Sequence, residues 1–311
     1  MQRVKVYAPA TIGNVGPGFD VLGMAITNLG DVVEARRKRG PGVEILSMTG
    51  YGAEKLPYEA EKNTAGMAAL KTLERIRVSS GVNLVIEKGI PYPCGLGSSA
   101  ASAVAAAKAV NLLYGEPLSN EELLEAATEA EAAVSGGFFA DNTAAALYGG
   151  VVVTFTENGT IKATPLGTIP NTLIVVATPE IPMPTKKSRG VLPKEVPMKD
   201  FVANMAATAM MVAAVGKKDP VLFGRSLNDR IVEPARKHLI AGFDDVKAAA
   251  LGKKALGCSI AGAGSTIFAL AKRESPVCRI GEAMKLAFLK HGIESTVHIC
   301  NMDKRGARMV K

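Results

Sequence analysis

The residues best placed to do chemistry lie in one stretch, Pro91-Tyr-Pro-Cys-Gly95-Leu-Gly97-Ser98-Ser99-Ala100. Pro91 and Pro93 fix φ and bias the residue before each toward extended backbone, so no helix begins ahead of Gly95. Gly95 and Gly97 permit tight turning and bring bare backbone close to a ligand. Ser98 and Ser99 are suited to cap a helix, and the alanine-rich run from Ala101 to Tyr114 propagates one. A glycine-serine loop that feeds a helix N-terminus offers unpaired N–H groups and the positive end of a dipole, which together attract an anion such as a phosphate.

The letters alone fit several anion-binding loops. A Walker A loop requires Lys after its last Gly, and Ser98 stands there. A dinucleotide fingerprint matches Gly95-x-Gly97-x-x-Ala100, but it should follow a strand directly and lead by a helix to a second strand. Here the strand-like run Val82–Glu87 is separated from the glycines by a Pro-rich linker, and the helix is followed by another opening at Ser119. A kinase loop and a plain turn before a buried helix remain, and the rest of the chain decides between them.

Further polar groups sit on constrained backbone. Pro9-Ala-Thr-Ile-Gly-Asn14-Val-Gly-Pro-Gly-Phe-Asp20 holds an amide and a carboxylate among glycines and prolines, for ligand contact or for local capping. Ser135-Gly-Gly-Phe-Phe-Ala-Asp141-Asn142 is a second glycine loop ending in a polar pair. Pro182-Met-Pro-Thr185-Lys186-Lys187-Ser188-Arg189 carries cations and hydroxyls suited to phosphate or carboxylate. Arg236, just past Pro234, can fork onto a carboxylate or pair with a neighbouring acid. Of Glu125, Glu129 and Glu131 on one helix, most belong to its wet face, and one can turn inward toward a metal.

Composition bounds these choices. The chain has 311 residues, 48% of them hydrophobic, enough for one large or two smaller domains with a substantial core. The opening Met1-Gln-Arg-Val-Lys-Val alternates like a strand and does not read as a signal peptide, and no apolar run is expected to span a membrane. The four cysteines form no Cys-x-x-Cys pair, which suits a reducing interior: the cytoplasm, or a reducing organelle if a targeting segment was removed. A net charge of +8 fits anionic small molecules as well as nucleic acid. The dense run Arg36–Arg39 has no aromatic neighbours in sequence, which argues for a solvated loop and against base stacking.

The elements that must position these groups read as follows. Strands are expected at Val4–Ala8, Gly30–Arg37, Val43–Leu46, Val82–Glu87, Gly150–Thr154, Leu173–Ala177 and Glu294–Cys300. The second and third are expected to form a hairpin about the basic run. Asn63 caps an expected helix from Thr64 to about Ile76, and Ser119-Asn-Glu-Glu122 is a capping-box pattern. Helices follow at Asp200–Val215, Val221–Leu227, Asp244–Ala250 and Glu282–His291. Gly257–Thr266 reads as a strand and a small-residue loop, with another strand to Ala271.

Three separated loops make one pattern. Pro9–Asp20, Pro93-Cys-Gly-Leu-Gly-Ser-Ser-Ala-Ala101 and Gly257-Cys-Ser-Ile-Ala-Gly-Ala-Gly264 resemble the three signatures of the GHMP small-molecule kinases. The first loop, with Ala140-Asp-Asn142, Pro184-Thr-Lys-Lys187 and Ile231-Val-Glu-Pro-Ala-Arg236, resembles the homoserine-kinase branch of that family. The resemblance implies a two-lobed α+β fold. An N-terminal ATP-binding lobe over 1–165 would contain a left-handed βαβ crossover, and a ferredoxin-like C-terminal lobe would cover 166–311. It also implies ATP and Mg²⁺ as cofactors, a zwitterionic hydroxy amino acid as the other substrate, and a homodimer, with no nucleic-acid or membrane partner.

By position, the resemblance assigns nucleotide contacts to Pro93, Cys94, Gly95, Leu96, Gly97, Ser98, Ser99 and Ala100, with Asn63 near the nucleoside. Ser99, or Ser98, and Glu131 would touch Mg²⁺. Asn14, Asp20, Arg189 and Arg236 would hold the amino acid, and Asp20 suits an ammonium as the two arginines suit a carboxylate. Asn142 would contact the accepting hydroxyl and Thr185 the substrate side, and the reaction would yield O-phospho-L-homoserine and ADP on the way to threonine. Two positions depart from the pattern: Phe139 stands where His is usual, and Ser265 stands where Pro is common and should only loosen a loop. A sister kinase acting on another hydroxy acid, or a catalytically silent nucleotide sensor, are the competing readings.

Overall fold

The computed structural model describes residues 2–91, 93–135 and 137–311, apart from the side chain of Ser135. Its first sheet begins with β1 (Arg3–Ile12) and β2 (Leu22–Lys38), paired antiparallel, with Val4, Val6, Ala8 and Ala10 of β1 turned into the core. β3 (Val43–Gly50), α1 (Thr64–Ile76) and β4 (Gly81–Lys88) then form a parallel βαβ unit in which β4 sits between β2 and β3. The expected hairpin of the second and third strands is therefore incorrect. Gly40 and Gly42 carry the chain across the start of β4, their carbonyls accepting from Gly81 N at 2.6 Å and Val82 N at 3.1 Å.

The basic run closes β2 at Lys38 and leaves Arg39 exposed at the start of that crossing. Arg36 pairs with Glu34 and Lys38 with Glu44, while the Arg37 guanidinium lies 4.6 Å from the Tyr114 ring centre. Asn63 caps α1 as expected, its Oδ1 accepting from Ala65 N at 3.0 Å and Gly66 N at 3.4 Å. The capping box also forms. Ser119 N donates to Glu122 Oε2 and Glu122 N to Ser119 Oγ at the start of α3 (Asn120–Ser135).

Between α1 and α3 runs α2 (Ser98–Leu113), with thirteen of its 16 residues buried. Its alanines make this possible. A helix with methyl side chains can lie close against β1, β2, α1 and α3 at once, and it loses no side-chain entropy in doing so. α4 (Asp141–Tyr148) packs beside it, followed by β5 (Val151–Glu157) and β6 (Thr160–Gly167), which extend the sheet from β2. The expected lobe division at 165/166 falls within β6.

The second sheet contains β7 (Thr172–Pro179), β8 (Gly257–Ile260), β9 (Ile267–Lys272) and β10 (Ser295–Cys300) in the order β10-β7-β9-β8, all antiparallel. Numbered within itself this is 4-1-3-2, the ferredoxin-like arrangement. Between β7 and β8 lie α5 (Thr185–Gly190), α6 (Met198–Lys217), α7 (Pro220–Arg225), α8 (Val232–Arg236) and α9 (Phe243–Gly252). α10 (Val277–Leu289) links β9 to β10 and packs on α9, and β11 (Arg308–Val310) returns to pair with β1 in the first sheet.

α6 corrects a second expectation, because it is long and apolar enough by composition to cross a membrane. It docks on this fold through Asn204, Met211, Ala214 and Val215, while Met198, Phe201, Val202, Met205 and Met210 are exposed. Ser265 does not loosen its loop either. It is buried and donates to the Ile181 carbonyl at 2.6 Å.

Candidate active site

The three loops singled out in the sequence meet at one place. Thr11 N donates to Leu96 O at 3.0 Å, Gly262 N to Gly13 O at 3.1 Å, and Thr266 N to Cys94 O at 3.0 Å. Gly95 has φ 86° and sits so close to the Ala261–Gly264 turn that a Cβ would lie 2.7 Å from the Gly264 carbonyl oxygen. Gly97, at φ 64°, is the N-cap of α2 and provides no side-chain cap. Ser98 and Ser99 therefore lie inside the helix and do not cap it. The first N–H groups of α2 remain available to a ligand, and this is what an anion site at a helix N-terminus requires.

Both serine hydroxyls are used elsewhere. Ser98 Oγ donates to Asp31 Oδ2 at 3.4 Å. Ser99 Oγ forms a short hydrogen bond to Glu131 Oε1 and lies 3.3 Å from Thr64 Oγ1. Glu131 is thus the acid of α3 that turns inward, whereas Glu129 pairs with Arg75 at 2.7 Å. Burial pushes the Glu131 carboxyl above its ordinary range, against the pull of Ser99 and Lys88. A hydroxyl and a carboxylate side by side are the hard oxygen donors that Mg²⁺ takes alongside substrate phosphates. No cluster of three or more acidic, His or Cys ligands occurs among the described residues, so phosphate and water oxygens would complete the coordination.

Around this helix end lies a cleft of about 690 Å³ whose lining includes the whole Pro93–Ala100 run, Asn14, Asp20, Glu131, Asn142, Thr185, Arg189 and Arg236. A smaller cavity of about 340 Å³ continues past Ser98, Ser99 and Thr185 and is lined by Asn63, Lys88 and Pro57. Asn63 faces that cavity, but its amide is committed: besides capping α1, Nδ2 donates to the Pro57 carbonyl at 3.0 Å. Tyr92 and Gly136, which belong to the quoted loops, lie outside the described residues. Burial pushes the Cys94 thiol up to about 11, which removes it as a nucleophile at neutral pH.

At the centre of the cleft, Asn142 Oδ1 accepts from Thr11 Oγ1 at 2.8 Å and its Nδ2 donates to Asp141 Oδ1 at 3.3 Å. Asp141 in turn accepts from Asn14 N at 2.9 Å. Both Asn14 (φ 63°) and Asp20 (φ 57°) are left-handed, and Asn14 Oδ1 accepts from Asp20 N at 3.0 Å. Asn14 therefore does the local capping that the sequence allowed, and in doing so presents Asp20 to the cleft. Asp20 meets Arg189 in a two-point ion pair, Nη2–Oδ1 at 2.6 Å and Nη1–Oδ2 at 3.1 Å.

Arg236 is 2% exposed and has no acidic partner within salt-bridge distance among the described residues. Its Nε donates to the Ser188 carbonyl at 3.1 Å and its Nη1 to the Gly262 carbonyl at 3.0 Å. Burial first, and the charge of Arg189 next, pull its guanidinium down to about 10. A charge held out of water with neutral partners only attracts a carboxylate.

Four residues that the sequence did not mark support this arrangement. Lys88 and Asp31 form a buried ion pair beneath α2, where Lys88 Nζ also donates to Ser98 O at 3.1 Å and Ser102 Oγ at 2.6 Å. That pair fixes the helix end that faces the cleft. Lys88 closes an apolar strand just before Gly89, a placement that betrays a special role only once Asp31 is known to lie beside it. Thr11 sits inside a quoted motif without an assigned part. Asp229 takes N–H bonds from Ile231, Val232 and Glu233 at 2.8–2.9 Å and so builds α8, which carries Arg236.

Burial, and after it the charge of Asp20, raise the Asp141 carboxyl to about 6 against the bond from Asn14 N. Between about pH 4 and pH 6 the folded chain holds a proton there that the unfolded chain has released. Stability contributed by this group therefore falls as pH rises through that window. Asp141→Asn should flatten the change in urea midpoint between pH 4 and 6.5; an unchanged slope would assign the titration to another group.

A family model described as GHMP kinases N terminal domain matches residues 63–150, and one described as GHMP kinases C terminal matches residues 211–290. The homoserine kinase of Chlorobium phaeobacteroides (strain BS1) is 41% identical over 325 residues, spanning 100% of both chains. That of Arabidopsis thaliana is 43% identical over 314 residues, covering 99% of this chain and 84% of the relative. The crystal structure of homoserine kinase from Cytophaga hutchinsonii ATCC 33406 is similar at a TM-score of 0.94 and 40% identity, covering 100% of this chain and 98% of that one. With both GHMP models matched in chain order and relatives of this kind aligned end to end, the chain belongs to the homoserine kinases of the GHMP kinase family.

Proposed function

We propose that the chain transfers the γ-phosphoryl group of ATP to the side-chain hydroxyl of L-homoserine, giving O-phospho-L-homoserine and ADP, a step toward threonine. The observation that carries this reading is a single cleft lined both by an uncapped helix N-terminus and by the Asp20, Arg189 and Arg236 charges. The phosphate chain would lie on the N–H groups of Gly95–Ala100, with its nucleoside toward Asn63. Asp20 suits the substrate ammonium, and Arg236, with Arg189, suits its carboxylate. Asp20 lines the cleft beside these arginines, and a plain hydroxy acid has no ammonium to meet it, which favours an amino acid over a mevalonate-like acid.

Ser99 and Glu131 would hold Mg²⁺, which when bound lessens the repulsion between phosphate oxygens and an incoming nucleophile. The chain's own contribution is alignment. Asn142, fixed by Thr11 and Asp141, orients the acceptor hydroxyl, and Thr185 faces the same region from α5. The hydroxyl oxygen bonds to the γ-phosphorus as the bond to the bridging oxygen breaks. Asn142 has no site for a proton at neutral pH, so the hydroxyl proton leaves with the transferred group or to water. A homodimer and a cytoplasmic setting belong to this reading, and the exposed apolar side chains of α6, Phe201, Val202, Met205 and Met210, support self-association through that helix.

ADP release should depend on homoserine and exceed that seen with serine, mevalonate or shikimate. Equal rates with all four would remove the substrate assignment, and no release with any would favour a sensor. Asp20→Asn should raise the KM for homoserine at least about tenfold while leaving that for ATP nearly unchanged; equal shifts would take Asp20 out of the amino-acid site. Sedimentation should give a dimer that Met205→Lys converts to monomer, and a monomeric parent chain would discard the α6 contact.

A further inference from the structure

Arg189 is held by more than Asp20. The Phe139 ring lies face-on to it, with the guanidinium carbon 3.6 Å from the ring centre. The Phe19 ring is 5.3 Å from Arg189 and also 5.3 Å from Arg236. Cation and ring thus alternate in the order Arg236, Phe19, Arg189, Phe139. The adjacent Phe138 is half-exposed with no cation over its ring among the described residues, so the contact there is made by position 139.

The backbone before Phe139 is shaped for its ring. A Cβ on Gly137 would lie 2.5 Å from Cε2 and 2.8 Å from Cδ2 of Phe139. Only glycine at 137 lets the ring fold back to the cleft, where both residues line the wall. A guanidinium pressed on an aromatic face keeps its N–H groups in the ring plane's direction, free to fork sideways. In this chain that fork meets Asp20 at both oxygens.

We infer that Phe139 is a positioning residue for the amino-acid end of the site: its ring holds Arg189 in the plane where one fork engages Asp20 and the neighbouring edge meets the substrate carboxylate. The inference rests on the homoserine reading above and deepens it. A histidine at this position could offer a hydrogen bond to the substrate, whereas phenylalanine offers only a flat apolar face. The specificity contributed by position 139 therefore passes through Arg189 and not through the accepting hydroxyl. The ring also keeps water from one face of the guanidinium, which strengthens each charge-assisted bond Arg189 makes.

Steady-state kinetics with homoserine and ATP varied separately provide the test. Phe139→Leu keeps an apolar side chain but loses the ring, and should raise the KM for homoserine by about 3- to 30-fold with the KM for ATP unchanged. Phe139→Tyr should restore the parent value, and Gly137→Ala should behave like Phe139→Leu because it displaces the ring. Phe139→His adds a readout that simple packing would not move. Its imidazole gains charge near pH 6.5 against Arg189, with Arg236 behind it and Asp20 and Asp141 the nearby acids. In that variant the KM for homoserine should climb several-fold from pH 8 to pH 6, beyond any change in the parent. A parent-like homoserine KM in Phe139→Leu, or equal rises for both substrates, would overturn the inference. A parent chain that turns over ATP but not homoserine would instead overturn the reading beneath it. Should Phe139→Leu not fold, the Phe139→Tyr and Phe139→His pair still decides.

Discussion

The constraint on which this fold depends is that α2 is buried on nearly every side and yet must end at solvent. A helix so enclosed cannot carry large side chains, and its alanines allow β1, β2, α1 and α3 to approach together. At its N-terminus an ordinary cap would place a side-chain oxygen on first-turn N–H groups and take them from an anion. Gly97 resolves this by turning left-handed with no side chain at all. The buried Lys88–Asp31 pair grips the same helix end from below through the Ser98 carbonyl and the Ser102 hydroxyl. Breaking one partner would strand a charge in the core, a loss of about 3–5 kcal/mol.

The opposite wall of the cleft obeys a different rule. There the charges come from short segments, α5 and α8, which are too small to be stable alone. Each is held by side chains that are not among the residues lining the cleft. Ser188 ties α5 to the Ala263 carbonyl at 2.7 Å, and Asp229 gathers the first N–H groups of α8. Glu233, paired with Lys247 and bonded to Ser259 at 2.8 Å, ties α8 to α9 and β8. Thus one half of the site is anchored by a long helix and the other by polar stitching.

Much of this was legible in the letters. The proline-glycine-serine loop, the caps at Asn63 and Ser119 and the three matching motifs announced themselves, because each depends on local backbone rules or on a pattern of spacing. The pairing of β3 with β4 was not legible, since alternation marks a strand without naming its neighbour. The short helices α5 and α8 are absent from the expected elements because each is only five or six residues long and is stabilised from outside. The partners of charged groups were the least visible. Arg236 looked able to pair with an acid, but Glu233 turns to Lys247 and leaves the arginine to carbonyls. Thr11 and Asp141 acquire a part only when β1 and α4 converge on Asn142.

The isolation of Arg236 has a practical side. A cation screened from solvent and answered only by peptide oxygens will draw in whatever small acid surrounds it. Acetate, citrate or a free α-amino acid in the medium are then not spectators for this chain. Each would compete with a substrate carboxylate for Arg236, so the choice of buffer bears on any affinity measured for this chain.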